Sequence, residues 1–265
     1  MTTILHISDT HFGTERAGAV EALVRLSHEL LPDLVILSGD ITQRARRGQF
    51  AAARAFVDRL HAPLLVIPGN HDIPLFNVFA RFLWPFDGYR RCFGNELQPV
   101  FETPDLLVIG VNTVRPERHK NGEVDPNQIA HVAQRLEQAR TEQLRVVVTH
   151  QPVQITLPED EENLLIGHAA AVREWSRAGV DLIVGGHIHV PFVRPLRESH
   201  PGIERDAWIV QAGTAVSARV RAGADNSVQV ILRRAPTQCL VERWDHTLDA
   251  HAFHRVATTP VLLDR

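Results

Sequence analysis

Short apolar runs recur through the first two thirds of this 265-residue chain, and most close on a glycine or on a side chain that can bind a metal ion. TILHIS (3–8) precedes Asp9 and His11, DLVILS (33–38) precedes Gly39 and Asp40, and LLVIP (64–68) precedes Gly69, Asn70 and His71. DLLVIGVN (105–112), RVVVTH (145–150) and DLIVGGHIHV (181–190) continue the series. Runs so rich in Val, Ile and Leu suit strands covered on both faces. Between them, Val20, Leu23, Val24, Leu30 and Leu31 follow a helical period, as do Phe50, Ala53, Val57 and Leu60. Ile129, Val132, Ala133 and Leu136 repeat it, and 169–178 predicts a further helix. Such alternation predicts an α/β fold. Beyond residue 190 the pattern changes to short strands over 207–213, 227–234 and 238–244. No repeat, low-complexity tract or linker interrupts the chain, so 1–265 reads as one domain with a β-rich C-terminal part over 190–265.

The segment 73–93 breaks the alternation, with Phe76, Phe79, Phe82, Trp84, Phe86, Tyr89 and Phe93 punctuated by Pro74 and Pro85. Phe76, Phe79, Phe82, Leu83 and Phe86 approach helical spacing, which most often means core packing. The alternative is a cap-like insertion beside a site, stacking a base or forming a homodimer surface.

Composition narrows the function. A formal net charge of −3 without a long basic run gives no nucleic-acid footprint. Cys92 and Cys239 have neither metal-ligand nor redox spacing and read as free thiols of a reducing compartment. No apolar stretch approaches the roughly 20 residues of a membrane span, and MTTILHISDTHFG turns polar too soon for a signal peptide. A cytoplasmic enzyme is the expectation.

The 15 histidines are the compositional anomaly. Asp9, His11, Asp40, Asn70, His71, His150, His187 and His189 all fall at carboxyl ends of predicted strands, where open α/β sheets form their sites. Carboxylate, amide oxygen and imidazole suit manganese, iron or zinc. The set is too large for one ion with an open position, and matches two ions about 3.5–4 Å apart sharing a carboxylate. Within DTH (9–11) and HIH (187–189), spacing i, i+2 places both side chains on one face if the backbone is extended. Two divalent ions, Asp9, Asp40 and a bridging hydroxide would leave the site near about +1, a charge that attracts a phosphoester.

Taken in order, DTH (9–11), GD (39–40), GNHD (69–72), His150 and GGHIH (185–189) resemble the signature of the calcineurin-like metallophosphoesterases. The resemblance implies a four-layer αββα sandwich of two mixed β-sheets flanked by helices. It implies that Asp9, His11 and His189 hold one ion, that Asn70, His150 and His187 hold the second, and that Asp40 bridges. His71 would stabilise the transition state or protonate the leaving oxygen, with Asp72 orienting it. GDITQRARRGQF (39–50) has Gln43 where the protein-phosphatase branch carries aspartate. With IPGNHD (67–72), the chain looks more like the bacterial branch of class III cyclic-nucleotide phosphodiesterases.

The implied activity is metal-dependent hydrolysis of a small phosphodiester, 3′,5′-cyclic nucleotides included, by attack of a metal-bridging hydroxide. A DNA-repair-type nuclease, a lipid-precursor pyrophosphatase and a non-catalytic scaffold on the same fold are the alternatives. Arg219 and Arg221 are candidates to contact substrate phosphate and His168 to line the pocket. The acidic run Glu159–Glu162 reads as a solvated loop.

Overall fold

The computed structural model describes residues 2–221, 223–247 and 251–264. Residues 222, 248–250 and 265, part of the expected C-terminal region, lie outside the described residues. The first sheet contains β1 (Thr2–Ile7), β2 (Leu34–Ser38), β3 (Leu64–Ile67), β10 (Ser227–Ala235), β11 (Gln238–Thr247) and β12 (Ala252–Leu262), in the order β12-β11-β10-β1-β2-β3. The second contains β4 (Val100–Thr103), β5 (Leu106–Gly110), β6 (Leu144–Val148), β7 (Leu182–Gly185), β8 (Phe192–Pro195) and β9 (Trp208–Gln211), in the order β4-β5-β6-β7-β9-β8. Both are mixed: β1, β2 and β3 run parallel, as do β5, β6, β7 and β9, while β10 returns antiparallel on β1.

Strand alternation divides the buried residues into layers. Ile4, Leu34 and Ile36 pack with Val108, Val146 and Val184 between the sheets. Their neighbours Leu5, Ile7, Val35 and Leu37 face α1 (Ala17–Leu30) and α2 (Arg47–Asp58). On the far side Leu107, Val147 and Ile183 meet α5 (Pro126–Glu137) and α6 (His168–Arg177) around the fully buried Trp175. The fold is the αββα sandwich of two mixed sheets.

Several expectations are corrected. The strand predicted over 181–190 stops at Gly185, because His187 and His189 adopt positive φ angles of 76° and 60°. β10 and β11 run longer than predicted and β9 is shorter, and β12, with Val256 exposed on the sheet's edge, carries too little apolar signal to be read. The aromatic segment forms α3 (Val78–Leu83) and α4 (Asp87–Phe93). Phe86 and Tyr89 enter the core, but Phe76 is 80% exposed and Phe79 79%, with Phe82, Leu83 and Trp84 more than half exposed. The core-packing reading fails there because α3 is anchored by a buried cation. Arg81 donates to the carbonyl oxygens of Pro116, Pro74 and Arg118, which turns the aromatic face outward.

Candidate metal centre

The carboxyl ends of β1, β2, β3, β6 and β7 meet at one edge of the sandwich. The loops after β1 and β2 stay paired beyond the strands, Asp9 N–H donating to Gly39 O (3.1 Å) and His11 N–H to Asp40 O (2.9 Å). Asp9, His11, Asp40, His187 and His189 all adopt left-handed backbone conformations. These are uncommon for side-chain-bearing residues and cluster at functional sites. The side chains of DTH and HIH are therefore aimed by tight turns and not by the extended backbone that spacing suggested.

Two candidate ligand groups result. Asp9, His11 and His189 form one, and Asp40, His150 and His187 the other, with donor atoms in each within 4.8 Å of one another. Asp40 lies between them: its Oδ2 is 3.7 Å from His11 Nε2, and its Oδ1 is 3.3 Å from His150 Nε2. His189 Nε2 is 3.2 Å from Asp9 Oδ1, and Asn70 Oδ1 is 3.2 Å from His150 Nε2. Backbone groups hold these side chains in place. His187 N–H donates to Asp9 Oδ2 (2.9 Å), His71 N–H to Asp40 Oδ1 (2.8 Å), and His150 Nδ1 to the carbonyl of Ser38 (2.8 Å). That last bond fixes the ring and turns Nε2 of His150 toward Asp40 and Asn70.

These residues fit divalent cations. Both ring nitrogens of His187 are buried without a hydrogen-bond partner, a cost of about 1–3 kcal/mol per group that a cation removes. Burial pushes His11 and His187 down to about 3, holding both neutral and able to donate a lone pair. For His150 burial is outweighed by the Asp40 carboxylate, which raises its pKa to about 9. A cation between the two would take the place of that proton. Burial opposes ionisation of Asp9 and Asp40, yet the neighbouring imidazoles hold both below the usual carboxylate range.

Close backbone approach is built in. A Cβ on Gly186 would lie 1.9 Å from Ser8 Oγ and 2.3 Å from Asp9 Oδ2, and one on Gly69 would lie 2.1 Å from the Asp40 amide nitrogen. Only glycine lets these turns touch the carboxylates.

His71 stands beside the first group, its ring 4.9 Å from that of His11. Its Nδ1 donates to Gln43 O (2.9 Å), and its Nε2 accepts from Arg219 Nη1 (3.2 Å). Asp72 does not orient it. The Asp72 carboxylate accepts from the backbone N–H of Ile41, Thr42 and Gly69 and from the Thr42 hydroxyl, so it ties the Asp40 loop to the 69–72 turn. Burial and the charge of Asp40 push its carboxyl up to about 7, against those three amide donors. Arg221 is bound to Asp160 (2.6 Å) and Glu159 (3.0 Å), so the acidic run is an ion-pair partner and not a solvated loop. His168 packs against His200 and bonds to Leu165 O, outside the pocket. Sequence reading missed Arg44, which lines the pocket from the turn after β2; its signal was the basic run QRARR close behind Asp40.

Two ligand groups with a carboxylate between them, at the strand ends of an αββα sandwich, define the metallophosphoesterase class. The chain belongs to the calcineurin-like phosphoesterase family, whose model matches residues 2–191, a family of metal-dependent phosphoester hydrolases. It is 28% identical over 192 residues to a probable cyclic nucleotide phosphodiesterase of Synechococcus sp., covering 68% of this chain and 66% of that one. It is 28% identical over 160 residues to a probable glycerophosphodiester phosphodiesterase of Arcobacter nitrofigilis, covering 60% and 57%. The matched stretch thus spans about two thirds or less of these relatives. A dimetal phosphatase from Danio rerio shares the fold with a TM-score of 0.68, at 13% identity and 99% coverage of both chains. Among the described residues no helix is long and apolar enough to cross a membrane.

Proposed function

We propose that this chain is a dinuclear phosphodiesterase of small substrates, 3′,5′-cyclic nucleotides and glycerophosphodiesters being the first to test. The observation that carries the reading is Asp40, one oxygen turned to each ligand group. Asp9, His11 and His189 would hold one manganese, iron or zinc ion, Asn70, His150 and His187 the other, and Asp40 both. When bound, such ions make water nucleophilic near neutral pH and stabilise charge on phosphoryl oxygens in the transition state.

The chain's own groups do the rest. The amides of His71 and His187 hold the bridging and terminal carboxylates in place. His71 rests as the Nδ1–H tautomer. To protonate a leaving oxygen it must carry a second proton on Nε2, and Arg219 must yield that position. The names of the two relatives support the substrate class, and a sequence with only two cysteines supports a cytoplasmic location. The exposed aromatic ridge on α3 supports contact with a second copy of the chain.

The test joins metal content to turnover. Asp40→Ala should lose both ions and abolish hydrolysis of bis-(p-nitrophenyl) phosphate; retained activity removes the assignment. His71→Ala should keep the metal and slow turnover by about 10²–10⁴; loss of metal would make His71 a ligand.

A further inference from the structure

The pocket over the two ligand groups encloses about 450 Å³ and is lined by four cations: Arg44, Lys120, Arg219 and Arg221. Two are neutralised. Arg221 is bound to Asp160 and Glu159, and Lys120 to Glu162 (2.7 Å). Among the described residues neither Arg44 nor Arg219 pairs with a carboxylate, although both are half-buried.

Their hydrogen bonds leave most of each guanidinium unused. Arg219 donates through Nη1 alone, to Gln43 Oε1 (3.0 Å) and His71 Nε2 (3.2 Å). Arg44 Nη1 donates to Gln43 O at 3.3 Å and stands 3.4 Å from His71 Nδ1. Since Nδ1 already donates to Gln43 O, the Arg44 contact sets donor against donor and is no hydrogen bond. Each guanidinium carries five N–H groups in a fork that matches phosphate oxygens. The Arg44 guanidinium carbon also lies 5.9 Å from the centre of the Phe76 ring, which borders it at the rim. One unneutralised arginine thus stands on each ring nitrogen of His71, Arg219 on the side where a leaving oxygen would be met and Arg44 farther out.

Charge indicates what this arrangement accepts. Two divalent ions less Asp9, Asp40 and the hydroxide leave about +1, and the two arginines raise it to about +3. A phosphodiester brings only about −1, which the ion site alone balances, so the charge of the two arginines is left over. We propose that the substrate is a phosphodiester bearing a second anionic group, a phosphate monoester, which the Arg44 fork receives with Arg219 beside it. The substrate class rests on the phosphodiesterase reading above; the anion subsite at Arg44 rests on the arginines themselves.

Two chromogenic esters that differ by one phosphate test it: thymidine 5′-(p-nitrophenyl phosphate) with a free 3′-hydroxyl and with a 3′-phosphate. The manganese-loaded protein should show a KM about tenfold lower for the 3′-phosphorylated ester, the scale of one charge-assisted contact. In Arg44→Met that ratio should fall below about twofold, with partial recovery in Arg44→Lys. Arg90→Met, at an exposed position on α4 away from the pocket, should keep it. Equal KM values in the wild type, or a ratio that survives Arg44→Met, overturns the inference while turnover of both esters leaves the phosphodiesterase reading intact. Failure to cleave either ester with metal bound strikes that reading instead. Calorimetry then decides the subsite separately: thymidine 3′,5′-bisphosphate should bind about tenfold tighter than thymidine 5′-phosphate, and Arg44→Met should erase the difference.

Discussion

Thr42 gives both its backbone N–H and its hydroxyl to Asp72, at 2.8 and 2.9 Å. With the amides of Ile41 and Gly69 also bound, this buried carboxylate is the clasp between the loop that carries Asp40 and the turn that carries Asn70 and His71. Asp72→Ala leaves three buried amides unpaired, each costing about 1–3 kcal/mol. Urea unfolding should show a loss of about 3 kcal/mol or more. Asp72→Asn should also destabilise, because its amide group would set donors against those N–H groups. A residue that served only to orient His71 would tolerate asparagine without loss of stability.

Gly186→Ala should displace Asp9, since the new Cβ overlaps Ser8 Oγ and Asp9 Oδ2. Overpacking of this kind costs about 1–3 kcal/mol, and metal content should fall with it. Gly202→Ala is the control, because a Cβ there meets nothing within 4 Å. Equal melting temperatures for the two variants would show that the close approach is not needed.

His6 lies fully buried in β1 with its Nε2 2.8 Å from Ser38 Oγ, and burial pushes its pKa down to about 3. The folded pKa is below the unfolded value of about 6.5. The stabilisation is therefore complete above about pH 6.5 and is lost as pH falls toward 3, because the unfolded chain takes up a proton that the folded one refuses. The slope is at most about 1.4 kcal/mol per pH unit. His6→Gln, compared with wild type in the same metal state, should flatten the pH dependence of unfolding free energy between about pH 6.5 and 4. An unchanged slope would assign the acid sensitivity elsewhere.

The side chains of Phe76, Phe79 and Phe82, on and before α3, form an apolar ridge and are each more than half exposed. Sedimentation should find the wild type as a dimer and the double variant Phe79→Glu, Phe82→Glu as a monomer with unchanged metal content. A monomeric wild type would remove the second copy from this surface.

Much of the fold was legible because strands buried on both faces need continuous apolar runs, and β1, β2, β3, β5, β6 and β7 supply them. The edge strands β4, β8 and β12 were not legible, since a half-exposed strand needs no such run. The candidate ligand residues were legible by type and by position at strand ends, and the structure brings them together. The side-chain roles around them were not. Asp72 adjoins His71 in sequence yet bonds to Thr42, and Arg221 is engaged by Asp160 through a contact that no spacing rule anticipates.

The sequence by itself determined the main alternation of strand and helix, the candidate ligand set and the family, because burial periodicity and donor chemistry are properties of residues read one after another. Only the tertiary structure decided how those ligands face one another. Left-handed turns at Asp9, His11, Asp40, His187 and His189 aim the side chains, and the meeting of two sheets sets His150 against Asp40. It also decided which arginines remain without a counter-charge, since pairing depends on distances between residues that the chain separates widely.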